Sequence, residues 1–287
     1  MYYIFIVMPL LSTIKTVTQG RYSKKHIKTF SDVLIYNTLA FFFSALVLGV
    51  IFLRQIPPIE VFVFALINAT CSILFQTFYT LALKNGPTTA TIIINTFSLV
   101  ITMFTGAIFY NEQWSIYNII GFILMSAAFY LIPARNNDKK ANLKWIILTA
   151  LSFLFGGLNS AVMLVFSKSN FVSYQNEYTT LIFALAFVLC GLITLFNVKA
   201  RKEPITIKRS IELPVIALII GGSIGLYNLL NVIGYKYFPS YILLPVNCGL
   251  IIVLVMVVNS ILNKEKPTLK MLIGVALAVI AIVLLNI

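Results

Sequence analysis

Residues 82–95 read ALKNGPTTATIIIN, and residues 234–247 read GYKYFPSYILLPVN. Aligned, the two stretches share Lys84 with Lys236, Pro87 with Pro239 and Asn95 with Asn247, and they pair Thr88 with Ser240. The correspondence continues outward from them. Upstream, Gln76 aligns with Asn228 and Tyr79 with Asn231; downstream, Glu112 precedes Gly121 by nine residues, just as Glu265 precedes Gly274. The surrounding sequence is apolar on every side, as in LAFFFSALVLGVIF (39–52). A transmembrane strand would alternate apolar and polar residues, so these runs are read as helices that satisfy their own backbone in lipid.

Composition carries the same message. Of 287 residues, 60% are apolar and only 10% charged, with a mean hydropathy of +0.98, which leaves too little polar surface for a water-facing domain. Ten runs are long enough to cross about 30 Å of hydrocarbon: 2–19, 32–53, 59–83, 88–110, 115–132, 145–166, 178–198, 214–235, 240–262 and 269–286. In the first run the basic residues Arg21, Lys24, Lys25 and Lys28 follow the apolar part, and no basic stretch precedes it. It is therefore read as a span and not as a secretory signal. The predicted fold class is an all-α integral membrane protein with ten transmembrane helices. Residues 1–132 form a first five-helix repeat, 133–144 a basic linker, and 145–287 a second repeat. Five is odd, so the second copy enters the membrane upside down. Inverted repeats of this kind recur in secondary transporters, whose binding site lies near the midplane between the copies.

The net charge of +13 sorts by loop. Sixteen basic residues lie in loops after odd-numbered spans, and only Arg54, Lys168 and Lys236 follow even-numbered ones. The positive-inside rule then puts the odd loops in the cytoplasm and both termini outside. Charge reports topology here, and no nucleic-acid partner is needed.

ALKNGPTTATIIINTFSLVITMFTGAIFYNEQWSIYNIIGFIL (82–124), with its fainter copy around EKPTLKMLIGVAL (265–277), resembles the drug/metabolite transporter (DMT) superfamily, in particular proteins with two EamA-type domains. The resemblance covers nearly the whole chain and implies spans 1, 3, 4, 6, 8 and 9 around a central cavity. Members commonly have cytoplasmic termini; the loop charges here point the other way and are followed. Small multidrug antiporters of the superfamily carry a membrane-embedded Glu on their first helix. No residue corresponds to it here, because all eight acids (Asp32, Glu60, Glu112, Asp138, Glu177, Glu203, Glu212 and Glu265) fall in loops or helix ends. That argues against proton exchange through a buried carboxylate.

Polar groups deep in a span are costly unless they face a cavity or a neighbouring helix. In the fourth span Thr88, Thr91, Asn95, Ser98, Thr102 and Thr105 recur at steps of three and four and form one stripe. The third span adds Ser72, Gln76 and Tyr79; the sixth adds Ser152, Gly156, Asn159 and Ser160; the eighth adds Ser223, Tyr227, Asn228 and Asn231; the ninth adds Asn247. Ser12, Lys15, Thr16 and Gln19 come from the first. Spans 2, 5, 7 and 10 are poorer in such groups and are read as peripheral. Hydroxyls can bond their own helix, but amides have donors and acceptors that a helical backbone rarely satisfies. The substrate-binding candidates are therefore Asn95, Gln76, Tyr79, Asn159, Tyr227, Asn228, Asn231, Asn247, Lys15 and Thr91. Lys15 near the end of its span has two readings: it snorkels to the headgroups, or it is a counter-charge to an anionic or zwitterionic substrate.

The matched residues read as frame. Pro87 and Pro239 open spans 4 and 9, where a missing N–H costs little, and Lys84 and Lys236 are interfacial anchors. Glu112 and Glu265 are expected to complement the N-terminal dipoles of spans 5 and 10. GGSIG (221–225) lacks the Lys-Ser/Thr of a phosphate loop and is read as close helix packing. Cys71, Cys190 and Cys248 lie within spans and suggest neither disulfide nor metal site. His26 is the sole histidine, no hydrolase motif occurs, and an enzyme, a metal and a cofactor are all unexpected.

The function expected is a secondary carrier in the cell (plasma) membrane, moving a small polar metabolite, an amino acid or similar zwitterion, by alternating access. The alternatives are a choline-like quaternary-amine carrier with an aromatic cage, a lipid-linked sugar flippase, and a proton-coupled drug exporter. The expected partners are the small-molecule substrate and membrane lipid, with the carrier a monomer or homodimer.

Overall fold

The computed structural model describes residues 2–52, 54–86, 88–112, 115–131, 142–201, 212–263 and 269–285. Among them there is no strand. The helices are α1 (Ile4–His26), α2 (Phe30–Phe52), α3 (Ile59–Asn85), α4 (Thr88–Thr96), α5 (Leu99–Tyr110), α6 (Ile116–Leu131), α7 (Leu143–Ser167), α8 (Gln175–Arg201), α9 (Glu212–Tyr237), α10 (Ser240–Asn263) and α11 (Leu269–Leu285), with a 3₁₀ turn at Val172–Tyr174. Pro87, Glu265, the acids Asp138 and Glu203, and linker residues 133–141 lie outside the described residues.

Local chemistry sets the helix starts. Asp32 accepts from the backbone N–H groups of Lys28 (3.0 Å) and Thr29 (2.9 Å), while its own N–H donates to Thr29 Oγ1, a reciprocal cap on α2. Ser115 and Asn118 exchange the same kind of bonds at the start of α6, and Asn142 Oδ1 accepts from Trp145 N at the start of α7. Five stretches (30–52, 59–85, 143–167, 172–199 and 212–237) are long and apolar enough to cross a membrane by length and composition. Large apolar side chains such as Val50 and Phe109 point outward from the bundle. In a multi-pass membrane protein that is the surface lipid requires.

The fourth span does not run straight. It divides at Phe97–Ser98 into α4 and α5, where N–H groups reach back three residues: Phe97 to Ile94 and Ser98 to Asn95, both at 3.1 Å. The cause lies one turn earlier. Asn95 Nδ2 donates to Thr91 O (2.9 Å) and Thr96 Oγ1 to Ile92 O (2.8 Å), so two successive carbonyls serve side chains as well as backbone. Such back-bonding bends helices, and the strained turn tightens to 3₁₀ geometry.

The most extensive packing joins the first 131 residues to those from 142 on. α2 packs on α8, α6 on α11, α3 on α7, α1 on α9, α2 on α9, α3 on α8, α1 on α10 and α5 on α7. The GGSIG segment works as expected: Gly221 lets α9 touch the α2 backbone, and Ser44 Oγ donates to Gly221 O at 2.6 Å. Gly157 does the same for α7 at the break, where an added Cβ would meet Ile101 Cδ1 at 2.4 Å and Ser98 O at 2.8 Å.

Candidate functional site

A cavity of about 160 Å³ lies between α1, α3, the α4–α5 break, α7, α9 and α10. A cavity of roughly 150 Å³ is enough to take up benzene, so the space suits a small solute. Its lining is polar where the sequence placed the stripes. Lys15, Gln76, Tyr79, Asn95, Asn159, Tyr227 and Asn228 all face it, with Ser12, Thr16, Ser72, Ser98 and Ser160 between them.

Each amide has a distinct state. Asn159 is pinned from α3: its Oδ1 accepts from Ser72 Oγ at 2.6 Å, and its backbone carbonyl accepts from Asn68 Nδ2 at 2.9 Å. Only its amide nitrogen is left to donate. Asn95 is held the opposite way, with Nδ2 engaged by Thr91 O and Oδ1 buried without a partner. Gln76 Nε2 is likewise buried and unpaired. An unpaired polar group in a low-dielectric interior costs about 1–3 kcal/mol, so these two lining residues are poised for a solute or for water.

Lys15 does not snorkel. α1 continues to His26, which puts Lys15 at the middle of the helix, and its Nζ stands 5.2 Å from the Phe75 ring centroid and 5.5 Å from that of Tyr79. Both distances are within cation–π range.

Three sequence candidates lie outside the lining. Thr91 Oγ1 is taken by Trp145 Nε1 (2.8 Å), which joins α4 to the start of α7. Asn247 points at α1, its Nδ2 3.6 Å from Met8 Sδ. Asn231 sits one turn beyond the cavity, against the Tyr227 hydroxyl. A polar residue on the right helix can still turn to a neighbouring helix, and spacing does not tell the two apart.

The reading of spans 2 and 7 as peripheral is corrected. Phe41 of α2 and Phe183 of α8 both line the cavity, their rings stacked at 6.2 Å and 29°. Aromatic residues on a lining face look like lipid-facing ones in sequence, so no signal distinguished them, nor Phe75. Cys248 also lines it. Glu112 is corrected too. Its carboxylate accepts from Ser240 N (3.1 and 3.2 Å) and Ser240 Oγ (2.5 Å), capping α10 across the molecule and not its own following helix.

The bundle thus holds a polar-lined cavity among helices that include several long and apolar enough to cross a membrane. Residues 3–133 match the EamA-like transporter family, so that part of the chain is similar to an EamA-like domain, a likeness that suggests a membrane transporter of the drug/metabolite type. A solved structure described only as "Crystal structure of protein" superposes with a TM-score of 0.68 at 16% identity, covering 98% of this chain and 98% of that one. The fold is thus shared over the full length. No curated protein matches the chain.

Proposed function

We propose that the protein is a secondary carrier for a small polar metabolite, an amino acid or similar zwitterion, working by alternating access between two inverted five-helix halves, 1–132 and 145–287, joined by the linker 133–144. The observation that carries this reading is the mid-helix cavity, lined by unpaired amides and by side chains from both halves. The packing pattern supports two halves related by a twofold axis, and the odd number of spans per half supports their inversion. Exchanging α1, α2 and α3 with α7, α8 and α9 turns the α3–α7 contact into α9–α1, turns α2–α9 into α8–α3, and leaves α2–α8 unchanged. A pseudo-twofold axis has that consequence, and in inverted repeats it lies in the membrane plane. Loop charge supports cytoplasmic odd loops and external termini, in the plasma membrane.

Purified protein in liposomes, given labelled amino acids, choline and nucleobases with and without a pH gradient, tests the reading. Amino acid uptake without strict need of the gradient is expected. Asn95→Leu should cut uptake by about tenfold or more, since it removes the free acceptor and the bond that bends the fourth span. Asn247→Leu, away from the cavity, should cost less. Full transport by Asn95→Leu would remove the cavity from the mechanism, and uptake driven only by a proton gradient would overturn the coupling argument.

A further inference from the structure

Lys15 brings a full positive charge to the middle of the bundle. Ring faces attract an ammonium group but carry no net charge and no lone pair in line with its N–H bonds. Lys15 makes no hydrogen bond or ion pair among the described residues. No acid among the described residues lines the cavity either. Asp32 and Glu112 are engaged with helix N-termini, and Glu60, Glu177 and Glu212 sit in the first turns of α3, α8 and α9. An isolated cation in a low-dielectric interior is costly and marks a solute pathway by default. Its missing counter-charge has to arrive with the ligand.

Two further groups say what else that ligand carries. Gln76 is 2% exposed and Asn95 9%, and each faces the cavity with a buried polar atom lacking a partner. The bond from Asn95 Nδ2 to Thr91 O fixes that amide's orientation, so its free atom is the carbonyl oxygen, an acceptor. Gln76 is one turn from Tyr79 and Ser72 on α3, beside the rings that hold Lys15. Its free nitrogen is a donor.

We propose that Lys15 and Gln76 form a carboxylate subsite, and that Asn95 Oδ1 takes a donor from the same molecule. The carrier then selects small carboxylates with an adjacent amino or hydroxyl group and rejects cations that lack a carboxylate. This rests on the carrier reading above and adds to it a charge requirement and an orientation. A choline-like substrate is disfavoured by it, because the Lys15 ammonium repels a second cation and takes the faces of Phe75 and Tyr79.

Isothermal titration of the purified full-length protein with 2-aminobutyrate, butyrate, butyramide and butylamine tests it, since these probes differ in charge and little in size. The aminobutyrate should bind tightest, and butyramide and butylamine about tenfold or more weaker than butyrate, as loss of a charge-assisted contact requires. Lys15→Gln should erase the preference for butyrate over butyramide, and Lys15→Arg should restore it. Should Lys15→Gln fail to fold, the ranking on the parent protein decides alone. Butylamine binding as well as butyrate, or an undiminished butyrate preference in Lys15→Gln, overturns the subsite and leaves the carrier reading standing. Binding of none of the probes at about 10 mM overturns both.

Discussion

Gly221→Val is expected to yield no folded, monodisperse protein, whereas Gly222→Ala, one residue along, should purify and melt as the parent chain does. A Cβ at 221 would lie 2.3 Å from Ala40 O and 3.1 Å from Ser44 N, and both of those atoms belong to the α2 backbone. Backbone in mid-helix cannot turn aside as a side chain can. Ser44 Oγ adds to the constraint: its single O–H lies within reach of Gly221 O (2.6 Å) and Ala40 O (2.9 Å), so a displaced α9 also loses the contact to Gly221. In lipid, helices associate through close packing and interhelical hydrogen bonds, because the tails are as apolar as the side chains. Overpacking at such a contact costs about 3 kcal/mol. At 222 the nearest atom to an added Cβ is Val47 Cγ2 at 3.9 Å, which is ordinary contact. Size-exclusion profile and thermal melting in detergent separate the two variants. A Gly221→Val protein that melts with the parent would mean that α2 and α9 do not meet as described.

What the sequence disclosed depended on whether a local signal existed. Gly221 and its neighbours stood out because a cluster of small residues in a span has few uses besides close packing. The stripe of Asn95 and Ser98 was visible because polar groups at helical spacing cost too much to be scattered at random. The bend it causes was not visible, since it depends on which carbonyls the Asn95 and Thr96 side chains choose. Phe41, Phe75 and Phe183 were lost for a different reason: hydrophobicity marks a residue as lipid-compatible without saying whether it meets lipid or the back of a binding cavity. Thr91 and Asn247 show the converse. Both are polar, yet each turns to a partner far away in sequence, Trp145 for the Thr91 hydroxyl and Met8 for the Asn247 amide nitrogen. Lys15 turned on helix length: read as ending near residue 19, the first span put it at the headgroups; ending at His26, it puts it at the cavity.

Glu112→Ala is expected to open one face of the molecule. Asn111 adopts a left-handed conformation (φ 49°) at the end of α5, turning the chain so that Glu112 reaches the N-terminus of α10. Gly106 leaves the room, because a Cβ there would meet Glu112 Oε2 at 2.5 Å and Ser240 Oγ at 2.6 Å. The carboxylate then takes the Ser240 N–H and hydroxyl and complements the helix dipole. This contact ties the turn before α6 to the turn before α10, hence one proposed half to the other, on the face away from the basic loops. If the halves rock as proposed, it must break in every cycle, and its strength sets how often that face opens. Loss of a charged hydrogen bond costs about 2 kcal/mol, so the open-to-closed ratio on that face should rise roughly thirtyfold. Cys248 lines the cavity and reports it. A membrane-impermeant thiol reagent added from the side of the even-numbered loops, with the modified site mapped by mass spectrometry, should label Cys248 faster in Glu112→Ala than in the parent. Glu112→Gln keeps an acceptor but not the charge and should fall between them. Equal labelling in all three proteins would make the contact a static cap, with no part in opening the cavity.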